Sequence, residues 1–301
     1  MITLIKNTRI DFLGKRYFAF AVSGVLTLIG LLAVIHVFTG KANLGIDFAG
    51  GTAVQLKFER TVTVHDVRVA VEAGGIREPD IQDFPSVNKV LIRVKGKEEK
   101  LGDTSSRIVA ALGKGIPGNK FVVDSTTEIG PKVGSRLRND AFWAVLLATL
   151  FILVYIAWRF QFRFGVGATV ATFHDVMAVL GIFYLLDKEI NLILLSALLT
   201  IAGYSLTDTI VVFDRIREEM KRQKKSSLIE IMNLSINEVL SRTIITSWTV
   251  LLSSICLFFF GGEVLHDFSL AMILGVIVGT FSSIFVASPI VLALEKKPAA
   301  A

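Results

Sequence analysis

The stretch Ile190–Phe213, INLILLSALLTIAGYSLTDTIVVF, contains a single charged residue, Asp208. At about 1.5 Å per residue a helix of this length reaches about 36 Å, enough to cross a hydrocarbon core of ~30 Å. It reads as a membrane span. Five more runs read the same way: Tyr17–Phe38, Ala141–Trp158, Phe164–Leu186, Thr243–Phe260 and Phe268–Leu294. Composition agrees. Of 301 residues 52% are hydrophobic and only 19% charged, and the mean hydropathy is +0.63. A soluble enzyme, a secreted disulfide scaffold and a disordered chain are excluded. The expected fold is an α-helical polytopic membrane protein with six transmembrane helices.

The net charge of +6 raises the question of a nucleic-acid partner, and position answers it. Basic residues gather before the first run (Lys6, Arg9, Lys15, Arg16), after the second (Arg159, Arg163), between the fourth and fifth (Arg215, Arg217, Lys221, Arg222, Lys224, Lys225, Arg242) and after the sixth (Lys296, Lys297). The short connections Asp187–Glu189 and Gly261–Asp267 hold only Lys188. The positive-inside rule therefore places both termini in the cytoplasm, and the basic excess needs no nucleic acid. The first run is too long for a signal-peptide core, and no small-residue cleavage site follows at Thr39–Asn43, so it reads as an uncleaved anchor. The expected organisation is a cytoplasmic N-terminus (1–16), helix 1 (17–38), an extracytoplasmic domain (39–140), helices 2–6 (141–294) and a cytoplasmic tail (295–301).

The 39–140 segment has ordinary soluble composition. Val54, Leu56 and Phe58 alternate with Gln55, Lys57 and Glu59, a half-buried strand over Thr52–Glu59. Thr63-x-x-Asp66 resembles a capping box opening a helix that ends at Gly74-Gly75. Ile81–Phe84 and Val90–Val94 read as strands, Asp103–Leu112 as a helix and Lys120–Thr126 as a last strand. The order β-α-β-β-α-β predicts a ferredoxin-like domain. Its only aromatics are Phe48, Phe58, Phe84 and Phe121, too few to line a small-molecule pocket; an exposed sheet edge could instead take up an extended peptide.

No Ser/His/Asp set, phosphate loop or HExxH occurs. The lone Cys256 excludes an intrachain disulfide, and His36, His65, His174 and His266 show no metal-ligand spacing. Neither an enzyme, a metal nor an organic cofactor is expected. What stands out is polar residues in the spans. Asp208, with Ser205 at i−3 and Thr209 at i+1, and Asp175, beside His174, are acidic residues within apolar runs, where a charge costs ~2.5–3.5 kcal/mol at the helix centre; these residues are candidate proton-coupling groups, although His174 could equally satisfy Asp175 structurally. Arg242, Thr246, Thr249, Ser253 and Cys256 recur at steps of four and three, one face of a helix that could pair with Asp208 and carry water. Hydrogen bonding between helices explains the hydroxyls equally well. In the sixth run Ala271, Gly275, Gly279, Ser283 and Ala287 form a small-residue ridge for helix packing.

These residues carry a resemblance. LGIDFAGGT (Leu44–Thr52), FHDV (Phe173–Val176), GYSLTDTIVVFDRIREE (Gly203–Glu219), LSRTIITS (Leu240–Ser247) and Phe260–Ala287 resemble, in order and spacing, the SecD/SecF family of bacterial protein-export membrane proteins, and within it the smaller SecF-type subunits. Thr207 departs from the family, which carries Asn before the Asp. The resemblance implies membership of the resistance-nodulation-division superfamily, residence in the bacterial inner membrane, and use of the proton motive force to promote export through the Sec pathway. It implies that Asp208 and Arg242 take part in proton movement, with protons the coupling ion, and that Asp47, Gly50 and Gly51 link the first span to the domain.

Six spans without an internal repeat look like half of a pseudo-symmetric transporter. A SecD-like six-span subunit is therefore the expected partner, docked through the small-residue ridge, with a SecYEG-type channel and a preprotein as further partners in the lipid bilayer. Two other readings fit the spans: a half-transporter exporting small molecules or lipids, and a non-transporting subunit in which Asp208–Arg242 is a structural ion pair.

Overall fold

The computed structural model describes residues 8–96, 103–159, 161–223 and 225–295; Lys6, Lys224, Lys296 and Lys297, and parts of the expected terminal segments, lie outside them. The chain divides into two compact units, a set of apolar helices and an α/β domain formed by residues 44–142 with 189–192. In chain order the elements are α1 (Arg16–Thr39), α2 (Ile46–Ala49), β1 (Gly51–Phe58), α3 (Val64–Ala73), β2 (Asp80–Phe84), β3 (Lys89–Lys95), α4 (Asp103–Gly115), β4 (Phe121–Ile129), α5 (Pro131–Arg159), α6 (Phe162–Leu185), α7 (Leu192–Arg222), α8 (Leu228–Phe260) and α9 (Gly262–Ser282). A π-helical turn, Ser283–Ala287, and α10 (Ser288–Ala293) complete the last span. Among the described residues six helices are long and apolar enough to cross a membrane.

Local chemistry sets the ends. α1 stops at Gly40, whose positive φ of 72° lets its N–H reach back to the carbonyl of His36. α3 opens where Thr63 Oγ1 accepts the Asp66 N–H at 3.1 Å. α8 opens on a full capping box between Ser227 and Glu230. Hydropathy marked only the apolar parts of the helices. α5 begins at Pro131 rather than 141, because proline suits a first helical turn and the polar residues after it continue the helix. α8 likewise starts at Leu228, well before the apolar run at Thr243.

The α/β domain has a four-stranded antiparallel sheet in the order β2-β3-β1-β4, the ferredoxin-like arrangement. Val54, Leu56 and Phe58 on β1 and Val90 and Ile92 on β3 pack against Val67, Val71, Ile108 and Leu112 of the two helices. Full burial of a side chain such as Phe58 contributes ~1.5–3 kcal/mol.

In the helical unit α6 lies at the centre. α1 crosses it at glycines: a methyl group on Gly30 would run into the carbonyl of Met177, and one on Gly181 would sit 2.8 Å from the Gly30 nitrogen. Phe164 and Phe213 meet edge to face at 5.0 Å in a cluster with Ile284, Ala287 and Val291. The small-residue ridge faces inward. Gly275 lies against Ile201 and Gly279 against Ser205, both on α7, and Ala271, Ser283 and Ala287 are wholly buried. The ridge is therefore consumed within the chain and is not the surface offered to a partner. Its last part winds as the π turn. Pro289 cannot supply the N–H that an α-helix would give the carbonyl of Phe285, and the Ser288 hydroxyl donates to the carbonyl of Ser283 at 3.2 Å.

Candidate functional site

The inward face of α7 presents Ser205, Asp208 and Thr209, all buried. Asp208 Oδ2 is enclosed and, among the described residues, has no well-aligned hydrogen-bond donor. The hydroxyls of Ser283, on the π turn, and Thr243, on α8, lie against this carboxyl, and Arg242 acts on it electrostatically. Thr209 Oγ1 donates to Ser283 Oγ at 3.4 Å. Among the described residues Asp208 and Arg242 form no ion pair. Arg242 is on the exposed side of α8 in the isolated chain.

That placement sorts the fifth-span stripe. Arg242, Thr246, Thr249, Ser253 and Cys256 all face outward. Thr246, Thr249 and Ser253 donate to carbonyls one turn back, those of Arg242 and Thr243, Thr246, and Thr249 respectively. The inward face carries Thr243, Ser247 and Ser254 instead. Ser247 shares a hydrogen bond with Thr280 at 2.7 Å and accepts one from Tyr204 at 3.1 Å. Sequence spacing found a polar stripe; the one that meets α7 and α9 begins one residue later.

Asp175 is the better-satisfied carboxylate. It is fully buried on α6, with Oδ1 at 2.9 Å from His174 Nδ1 and Oδ2 accepting from Ser282 at 2.8 Å and from Ser205. Ser205, expected to serve Asp208 one turn away, is thus directed to Asp175. Ser282 carried no signal in the sequence, since its neighbour Ser283 fits the four-residue ridge and it does not.

The glycine-rich motif organises the α/β unit. Gly50 and Gly51 have φ of 77° and 145°, outside what other residues readily adopt. A methyl on Gly50 would approach the Pro131 Cα at 2.8 Å, and one on Gly51 would strike the carbonyl of Val94. Asp47 Oδ2 accepts the N–H of Leu192 at 3.1 Å, and Gly45 N–H reaches the carbonyl of Ile190 at 3.0 Å. The motif therefore holds residues 189–192, the connection between α6 and α7, as well as the start of α5. Here the structure reveals a group that no motif marked. Glu189 is buried at 3.2 Å from Arg93, which also lies 3.4 Å from Asp80. Burial, reinforced by Asp80 and opposed by Arg93, pushes the Glu189 carboxyl up to about 7.

Among the described residues no group of three or more His, Cys, Asp or Glu side chains is placed to hold a metal ion.

Comparison with known proteins bears on these residues. The family pattern described as protein export membrane protein SecD/SecF, C-terminal, matches residues 109–297, and the SecD/SecF GG motif matches residues 37–62. The chain is 57% identical to the protein translocase subunit SecF of Thermodesulfovibrio yellowstonii over 98% of both chains, and 46% identical to that of Calditerrivibrio nitroreducens over 96% of both. Among solved structures it is similar to SecDF, a translocon-associated membrane protein from Thermus thermophilus, with a TM-score of 0.80 and 39% identity over 95% of this chain. It spans only 39% of that longer chain.

Proposed function

This chain belongs to the SecD/SecF family of protein-export membrane proteins, and from that premise we propose that it is an accessory subunit of the Sec translocase that uses the proton motive force to promote export. Its role is coupling rather than enzymatic, with protons in place of a cofactor. The observation that carries the reading is Asp208: a buried carboxyl within a membrane helix that meets only the hydroxyls of Ser283 and Thr243 and, among the described residues, no ion-pair partner. Such a group is costly to ionise in place, and a purely structural one would be satisfied. It exchanges its proton when the field around it changes, and Arg242 on the adjacent helix supplies a charge whose distance α8 can alter. Together with Thr209, Thr243 and Ser283 it forms the coupling site. The lack of a direct Asp208–Arg242 pair weighs against the structural ion pair as a rival.

The basic residues flanking the spans support a reading with both termini on the cytoplasmic side of the bacterial inner membrane and the α/β domain outside, meeting an emerging preprotein. One charge crossing 100 mV releases ~2.3 kcal/mol, enough to bias a conformational equilibrium but not to drag a folded domain. Many cycles per substrate follow. A six-span SecD-type subunit and a SecYEG-type channel complete the assembly. The test is Asp208→Asn in inverted vesicles. Export that depends on the proton gradient is expected to be lost, and wild-type rates would overturn the assignment.

A further inference from the structure

The carboxylate on α6 is built unlike Asp208. Asp175 has no exposure, and three donors converge on it, from His174, Ser205 and Ser282. Ser205 and Ser282 both donate to Oδ2, and with the carboxylate ionised the Nδ1 of His174 is assigned the hydrogen that reaches Oδ1. The other ring nitrogen, Nε2, then bears a lone pair. It is buried and, among the described residues, has no hydrogen-bond partner. Among the described residues the only basic group in ion-pair range of Asp175 is this imidazole. The pair as it stands therefore places one uncompensated negative charge in an apolar interior, which is unfavourable. A single proton added to the Nε2 lone pair forms one N–H bond, breaks none, and leaves an imidazolium–carboxylate pair with no net charge.

The geometry points to His174 and Asp175 as a second proton-holding site of this protein, loaded and unloaded as one unit through His174 Nε2. It rests on the proton-coupling reading above and extends it from one carboxyl to two. Both sites share supports. Ser205, which binds Asp175, lies one helical turn from Asp208, and Ser282 on Asp175 adjoins Ser283 beside Asp208. Whichever way the π turn or α7 shifts, both carboxyls are affected. Asp208 neighbours this region on α7 and interacts electrostatically with Tyr204 and with Arg242 of α8. The side chain by which α9 touches Asp175 is the hydroxyl of Ser282, while His266 and Asp267 of α9 lie near its opposite end.

The site is read directly by nitrogen NMR of ring-labelled histidine, with the chain and its partner subunit in lipid nanodiscs and His36, His65 and His266 replaced by Gln. The His174 Nε2 signal is expected to show both the bare and the protonated form across a range of pH. His174→Asn keeps an N–H donor for Asp175 but cannot take up the proton. It is expected to fold and to lose the acid-side limb of the proton-flux profile in proteoliposomes. A ring nitrogen that stays unchanged through that range, or a wild-type flux profile in His174→Asn, overturns the proposal. The two readings fail separately. If Asp208→Asn leaves proton-driven export intact, the coupling role of Asp208 falls while the ring spectrum still decides the dyad; an inert ring sinks the dyad and leaves the Asp208 result standing.

Discussion

Asp175 and Asp208 are the same residue type in the same kind of helix, and what separates them is hydrogen bonding. Asp175 has its oxygens met by an imidazole and two hydroxyls, whereas Asp208 keeps a buried oxygen that, among the described residues, has no well-aligned donor. Sequence located both, since an acidic residue in an apolar run needs no structure to be seen. It could not rank them, because their partners come from α7, α8 and the π turn, distant in the chain. The same holds for the hydroxyls. Thr246 returns its hydrogen to its own helix and faces outward, while Thr243 is buried with its hydroxyl directed to Asp208. Thr243→Val, which keeps shape and removes the hydroxyl, is expected to reduce gradient-driven export several-fold. Thr246→Val is expected to leave it near wild type. A larger loss in Thr246→Val than in Thr243→Val would show that the outward stripe, not the inward one, serves the carboxyl.

Between elements, glycine contacts and one buried carboxyl decide the arrangement. α1 and α6 approach so closely at Gly30 that a methyl there meets the backbone of Met177, which cannot yield as a side chain can. Gly30→Ala is expected to destabilise the helical unit by about 1–3 kcal/mol, the usual cost of overpacking a close contact. A thermal unfolding midpoint in detergent unchanged from wild type would contradict this. In the α/β unit the α6–α7 connection is held by Asp47, Gly45 and the Arg93–Glu189 pair. Glu189 is pushed up to about 7 from its ordinary 4.5, so the docked connection binds a proton more tightly than the free chain does. Its contribution to docking is therefore complete below pH 4.5 and is lost as the pH rises through 7. Hydrogen exchange at the Gly45 and Leu192 amides, corrected for intrinsic rates, is expected to quicken over that interval. Glu189→Gln should abolish the change and keep the amides protected. A flat profile in the wild-type chain would refute it.

At the scale of the whole molecule, the chain covers 39% of the length of the SecDF chain it resembles, and its surface fits a part of something larger. The outward side of α8 carries Arg242 with Thr246, Thr249 and Ser253, and α5 is almost entirely exposed. Arg242 stands at the N-terminal end of the fifth apolar run with a stripe of hydroxyls following it on the outward face, so a partner helix is expected to cover that face. Thr249→Cys should form crosslinks with a six-span partner in native membranes. If crosslinks form only with lipid-soluble reagents and never with protein, the covered face lies elsewhere. The inward burial of Gly275, Gly279 and Ser283 explains why the ridge, the most recognisable packing motif in the sequence, is not that face.

The amino-acid sequence by itself determined the six spans, the βαββαβ order of the domain and the positions of the two buried acids. Each follows from local properties: run length against bilayer thickness, period-two alternation, and the cost of charge in hydrocarbon. Tertiary structure decided which hydroxyl serves which carboxyl, which face of α8 turns inward, where the small-residue ridge is used, and that Glu189 lies buried against Arg93. Those depend on the rotation of one helix against another and on contacts between residues far apart in the chain, which a one-residue offset along a helix reverses and which no local pattern encodes.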